Sequence, residues 1–449
     1  MLKKLTSLKK ATACTLSLAM LTLGTPAFAG LGENLTPIGA EKAGNREGTI
    51  PAWTGGLTQM PAGWSQGDLR PNPFADDARL FTIDAGNADQ YSKQLTPGQL
   101  ALINAYDGYR MDVYPSRRTC AYPQRIYDRT AANVDEAAMS ADGALTAGYG
   151  GVLFPVPENG WEVMMNHRTA FRGVGNRQMI TTVVKQSDGG NKIYRGETQS
   201  FVPMYAPGTQ SFDDTNGYMS KFVYTAEFPV KSAGTMGLVH EFFNQTRESW
   251  AYLPGLRRVR KAPTIAYDNP AAGQDGLRTF DQTGMFNGDG DRYNWDLMGK
   301  QELYIGYNAW KFRDPALSIE DIVGEKYASR DLARYELHRV WKVQAMLKPS
   351  VRNIFTRRDF YIDEDSWNIV QADLYDARGE LWRVQEAHML VAAELPACVG
   401  AAGFYYDLEA QLYVADNLVI GNDESNYSLG VEIDGAHFTP AYLRRSGRR

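Results

Sequence analysis

Four cations fall within five residues at Arg257-Arg258-Val259-Arg260-Lys261, just after the apolar run Trp250-Ala251-Tyr252-Leu253-Pro254-Gly255-Leu256. Guanidinium groups hold phosphate or carboxylate in a two-point fork, so cations beside aromatic and aliphatic side chains suit the head group of an amphiphile. The same residues would also serve as a solvated strand end paired with acidic neighbours. On an extended strand Arg258 and Arg260 share one face, with Arg257, Val259 and Lys261 on the other. Little else promises chemistry. His167, His240, His338, His388 and His437 are scattered, without the spacing of metal ligands. The chain contains no G-x-S-x-G elbow, H-E-x-x-H, Walker sequence or dinucleotide fingerprint. Asn287-Gly288-Asp289-Gly290-Asp291 opens like a calcium loop, but Arg292 stands where glycine is needed and Met298 where glutamate is needed. An acidic turn fits that stretch better. Paired carboxylates for hydrolysis have no supporting spacing. The expectation is a binding protein, not an enzyme, with no metal and no cofactor.

Such residues need a scaffold, and from about Gly173 the hydrophobic pattern is that of strands. Phe222, Tyr224, Ala226 and Phe228 alternate with Val223, Thr225 and Glu227. In Tyr335–Lys348, Tyr335, Leu337, Trp341, Val343, Ala345 and Leu347 fall on one face, opposite Glu336, His338, Lys342, Gln344 and Lys348. Further strands are predicted at Phe355–Ile362, Trp367–Tyr375 and Leu381–Ala392. Asp363-Glu364-Asp365 and Asp376-Ala377-Arg378-Gly379 connect them as hairpin turns. The fold class is therefore mainly β (α+β), a large curved antiparallel sheet with a few covering helices, over residues 161–449. Residues 30–160 read as an extended arm and short helices packed on that body. Trp53 and Trp64 anchor the arm, Thr96-Pro97-Gly98-Gln99 opens one helix, and a second is expected near Val134–Ala141. Gly143 to Pro157, uncharged and glycine-rich, reads as an ordered loop.

The N-terminus carries Lys3, Lys4, Lys9 and Lys10, then an uncharged stretch ending Pro26-Ala27-Phe28-Ala29. This is the plan of a secretory signal peptide cleaved after Ala29, which would place the mature chain in the periplasm. Its apolar part, Leu16 to Leu23, is shorter than the roughly 20 residues that a spanning helix needs. Loss of the four lysines makes the net charge of −5 more negative, which argues against nucleic acid as a partner. No later segment is a candidate span, because Glu394 and Pro396 interrupt Met389–Tyr406. Cys14 leaves with the peptide. Cys120 and Cys398 remain, as one disulfide or as two separate buried thiols.

The stretch from Trp250 to Arg260 with Ala262-Pro263 resembles the hallmark of the domain of unknown function 1329 family. Similar stretches are Leu35-Thr36-Pro37-Ile38-Gly39-Ala40, Ile50-Pro51-Ala52-Trp53-Thr54-Gly55-Gly56, Pro349–Phe355 and Arg357–Asp365. The family comprises exported Gram-negative proteins related to the lipoprotein-sorting (LolA/LolB-like) fold. The resemblance implies an incomplete barrel closed by helices around an apolar cavity. It also implies a lipid or other hydrophobic ligand, and association with RND-type exporters and outer-membrane proteins. Candidate ligand contacts are Phe242, Trp250, Tyr252, Arg257, Arg258, Arg260, Trp341 and Phe360, any of which would serve equally as ordinary core or fold residues. A protein-binding adaptor using exposed loops such as Trp53–Trp64 is the alternative.

Overall fold

The computed structural model describes residues 30–262, 268–314, 316–420, 428–431 and 433–447. The leader 1–29 and Pro263 of the 250–263 stretch lie outside them. From Gly30 to Leu80 the chain forms turns and isolated bridges without a named helix or strand, and it is laid against the body. Two short strands, β1 (Phe81–Ile83) and β2 (Met111–Val113), flank helix α1 (Pro97–Ala105). The α1 signal is realised in full: the Thr96 side chain accepts from the Gln99 N–H, Gln99 returns a bond to Thr96, and Pro97 stands in the first turn.

The second helix differs from expectation. It is α2 (Gln124–Glu136), and the chain leaves it to form the small pair β3 (Ala138–Met139) and β4 (Leu145–Ala147). Two of its buried residues are polar, which hides the apolar period. Thr130 donates to the Ile126 carbonyl and accepts from the Val152 N–H, while Asn133 donates to the Val152 carbonyl. These bonds fasten the glycine-rich loop to the helix. A Cβ on Gly151 would lie 2.5 Å from the Thr130 nitrogen, so only glycine permits the approach.

After α3 (Gly160–Arg168) the chain runs through two antiparallel meanders. The first comprises β5 (Gly175–Lys185), β6 (Asn191–Phe201), β7 (Tyr218–Phe228), β8 (Met236–Phe242), β9 (Glu248–Leu253) and β10 (Arg258–Lys261). The second comprises β11 (Tyr293–Gly306), β12 (Tyr335–Leu347), β13 (Arg357–Asp363), β14 (Ile369–Tyr375), β15 (Leu381–Ala392), β16 (Ala397–Asp407) and β17 (Leu412–Leu418). Between β11 and β12 lies the single-turn helix α4 (Ile319–Ile322), and after β17 come β18 (Ser428–Leu429) and α5 (Pro440–Ser446). Antiparallel pairing of β17 with β5 joins the meanders into one sixteen-stranded sheet. Its order runs from β1 to β10, and it does not close on itself. The sheet is antiparallel apart from one parallel contact, Tyr335 with Val113. The predicted strands are present with ends shifted by one or two residues. Trp367 lies in the turn before β14, where its φ is +56°.

Strands β13–β16 and the first half of β12 are buried on both faces. On one, Val343, Phe360 and Ala372 are in register and α3 packs over them, with Gly160 against Val343. On the other, α1 covers Asp373 and Val384, and the Gly98 N–H donates to the Asp373 carboxylate at 3.0 Å. The polar face of β12 is thus not a solvated one: Glu336 and His338 are fully enclosed. Cys120 and Cys398 form a disulfide, their Cα atoms 5.6 Å apart, which ties the N-terminal segment to β16.

Candidate functional site

The first meander is built differently. Alternation places Val223 of β7, Leu238 of β8 and Trp250 of β9 in one cross-strand row. Thr225, Met236, Tyr252 and Val259 form the next row of the same face. With Phe438 and Leu443 the apolar members of these rows make a second apolar core, distinct from the main one. Its cover is the C-terminal strap, residues 433–447, carrying α5. Thr439 caps that helix by accepting from the Tyr442 N–H, and Pro440 occupies its first turn. Only Phe438 and Leu443 of the strap are buried. Two polar bonds hold it further: His240 Nε2 lies 2.9 Å from the Phe438 carbonyl, and the Tyr252 hydroxyl donates to the Gly447 carbonyl at 2.5 Å. A Cβ on Gly447 would overlap the Tyr252 ring, so glycine lets the strap cross it. Burial pushes the His240 pKa down. Beyond His240 the face continues to Phe242, which stacks on Tyr218 at 4.8 Å.

The candidate contacts named from sequence therefore separate into three places. Phe242, Trp250 and Tyr252 share the strap-covered face. Trp341 and Phe360 belong to the main core: Trp341 stacks on Trp367 at 6.2 Å, and Phe360 packs against Phe286 and Trp295. The arginines lie elsewhere again. Arg257 is in the β9–β10 turn with φ +49°, its N–H bonded to the Leu253 carbonyl, because the Pro254-Gly255 reversal puts it there rather than on the strand face assigned to it. Arg258 and Arg260 pair with Leu253 and Ala251 and so project from the face opposite Tyr252 and Trp250. All three are exposed and have no side-chain partner among the described residues, whereas Lys261 bonds Glu248 at 2.5 Å. At this end of the sheet Phe228, Val230, Leu253 and Leu256 stand between 39% and 81% exposed. The two hairpin tips that carry them touch, a Cβ on Gly234 lying 3.4 Å from the Pro254 ring.

Two open clefts among the described residues are lined largely by polar side chains. One open cleft of about 190 Å³ lies on the strap, between Asp434, His437, Tyr442 and Arg445. Another, of about 400 Å³, lies between Asp107, Glu320, Glu325, Lys326 and Tyr327. Side chains fill both faces of β13–β16, and the strap covers the apolar face of the first meander.

The family model described as "Protein of unknown function (DUF1329)" matches residues 82–444. The chain belongs to this family. An uncharacterized protein of Pseudomonas aeruginosa is 40% identical over 429 residues, covering 93% of each chain. A solved DUF1329 family protein from Desulfovibrio piger is similar over 63% of this chain and 97% of its own, with 13% identity and a TM-score of 0.44. A LolA superfamily protein from Nitrosomonas europaea is similar over 64% of this chain and 100% of its own, with 11% identity and a TM-score of 0.38. Both structural likenesses are distant. Among the described residues, no helix is long and apolar enough to cross a membrane.

One feature of this DUF1329 member has no signature in its sequence. The turn Asp363-Glu364-Asp365 does connect β13 to β14, but it is buried by the N-terminal arm. Arg118 donates to both Asp365 oxygens at 2.8 and 2.7 Å, and Lys300 reaches Glu364 at 2.7 Å. Arg334 and His338 meet Glu336 at 2.6 and 3.1 Å. The only local hint is the density of acids at 363–365. Their partners lie as far as 323 residues away in the chain, where the Glu41 N–H donates to the Glu364 carboxylate.

Proposed function

We propose that the chain is a periplasmic carrier for a lipid or similar hydrophobic molecule, which binds on the apolar face of β7–β9 in place of the C-terminal strap. The observation that carries this reading is a separate apolar core closed by a short strap with two buried side chains. Burial of a Phe and a Leu stabilises by roughly 1.5–3 kcal/mol each, and each methylene removed from water contributes about 0.8 kcal/mol. An acyl segment of about four to eight methylenes therefore matches what the strap supplies. Ligand and strap are balanced competitors, which suits a protein that must release what it binds. The role involves binding and hand-over and no covalent step. The recipient would be an RND-type envelope exporter or an outer-membrane partner. The exposed apolar hairpin tips, flanked by Arg257, Arg258 and Arg260, would rest on an anionic membrane surface during hand-over.

The test is native mass spectrometry and organic extraction of the mature protein purified from the periplasm. One amphiphile per chain is expected, at higher occupancy when the strap is weakened. Absence of any extractable amphiphile in both forms refutes the carrier reading. Co-purification with an exporter that persists after the apolar face is blocked by Val223→Trp would favour the adaptor reading instead.

A further inference from the structure

The buried charges around the β13–β14 turn match in number but not in pairing. Four carboxylates gather there, Glu336, Asp363, Glu364 and Asp365, with four cations, Arg118, Lys300, Arg334 and Arg339. Each cation pairs with Glu336, Glu364 or Asp365, and none reaches Asp363. Asp363 is 0% exposed, and neither of its oxygens has a well-formed hydrogen bond, the neighbouring Ser366 hydroxyl included. An ionised carboxylate cannot remain in such a place without a counter-charge. Its nearest titratable neighbours are His338 and Asp365. One ligand atom from each of the three residues lies within 4.8 Å of the others, and all three are buried.

His338 is prepared as a ligand. Its Nε2 is 3.1 Å from Glu336 Oε2, so a neutral ring that carries its proton there keeps the Nδ1 lone pair for a metal. A carboxylate behind a histidine is the usual outer-shell support of a bound metal. Glu336 is itself held by Arg334 and by Asn308 at 3.0 Å, and Tyr307 stacks on the imidazole with ring centroids 4.0 Å apart. Arg118 occupies one lone pair on each Asp365 oxygen, and a carboxylate has about four acceptor sites, so Asp365 retains capacity for a cation.

We propose that His338, Asp363 and Asp365 bind one divalent cation of the zinc class, as a structural clamp between β12 and the β13–β14 turn. One imidazole and two carboxylates are a donor set for zinc rather than for calcium, which prefers six or more oxygens. Tetrahedral zinc with bonds of about 2.0–2.2 Å needs donors roughly 3.3 Å apart, so the three side chains close in by at most about 1.5 Å when the ion enters. The clamp joins the paired strands β12 and β13 at the end where Val340 stands opposite Asp363. Through Arg118 it also braces the segment holding Cys120, whose sulfur lies 2.7 Å from the Tyr307 hydroxyl. This proposal is independent of what the strap-covered face carries.

The test uses the mature full-length chain, stripped with a chelator and titrated with Zn2+. The metal content of protein prepared without chelator is measured alongside. One tightly held Zn2+ per chain and a raised thermal midpoint are expected, with both lost in Asp363→Asn and in His338→Gln. His437→Ala, which alters a half-buried histidine on the strap, should keep both. X-ray absorption at the zinc edge should report nitrogen and oxygen ligands without sulfur. Wild-type protein that retains no Zn2+ and shows no thermal shift overturns the proposal, whether or not the variants fold. So does zinc binding that survives Asp363→Asn but disappears with His437→Ala.

Discussion

Leu443→Ala isolates the strap. Leu443 is fully buried, yet it lies at the edge of a small core whose other strap anchor is Phe438. Leu-to-Ala changes in cores cost about 2–5 kcal/mol, and a short strap that can settle onto the smaller side chain belongs at the lower end, about 2–3 kcal/mol. Since 1.4 kcal/mol is tenfold, the strap should open roughly 30- to 140-fold more often. Hydrogen exchange reads this directly. The Leu443 and Gly447 amides, bonded to the Thr439 and Leu443 carbonyls, should exchange faster by that factor, and the amides of β12 should not change. If the ligand needs the face that the strap covers, the apparent affinity for a fluorescent long-chain fatty acid should rise by the same factor. Faster exchange with unchanged probe affinity would refute competition between strap and ligand. Equal acceleration in β12 would show that Leu443 supports the whole domain and not a separable cover.

Three further outcomes are expected. Arg258→Gln with Arg260→Gln should weaken binding to vesicles containing anionic phospholipid by about 10- to 30-fold at low salt, at about 1 kcal/mol per cation. Binding to neutral vesicles should be unaffected, and equal loss on both would remove the electrostatic reading. Replacing Cys120 and Cys398 by serine opens a link between residues 278 apart in sequence, at a cost of about 2–4 kcal/mol, seen as a calorimetric midpoint several degrees lower. No fall would mean that the link adds no stability. Burial raises the Asp373 carboxyl from 3.8 to about 7, against partial relief from the Gly98 N–H. The folded state thus keeps a proton that the unfolded state loses above about pH 4, so stability falls as pH rises toward 7. Asp373→Asn should remove that loss, at most about 4 kcal/mol, and flatten the dependence of the urea midpoint between pH 4.5 and 7.5. Parallel wild-type and variant curves would count against it.

The meanders, the α1 cap and the turns near 363–365 and 376–379 were legible because each rests on neighbours in sequence. Alternation marks a strand, Thr96-Pro97 marks a helix start, and acidic or glycine-bearing tetrads mark reversals. Helix α2 was misplaced because Thr130 and Asn133 face inward through hydrogen bonds that periodicity does not register. All the candidate contacts except Arg257 lie on strands, but which ones share a face depended on register and on the Pro254 turn. Trp341 and Trp250 look alike in sequence, yet one stacks inside the main core and the other lies under the strap.

By itself the sequence determined the strand content, an antiparallel grammar and the family, since these follow from local pattern and composition. Only the tertiary structure decided that β17 pairs with β5, that the last residues of the chain cover the face of β7–β9, and that His338 meets Asp363 and Asp365. The physical reason is distance along the chain. Side-chain preference acts over a few residues, whereas these contacts arise where packing brings remote segments together and requires each buried charge and apolar face to find a partner.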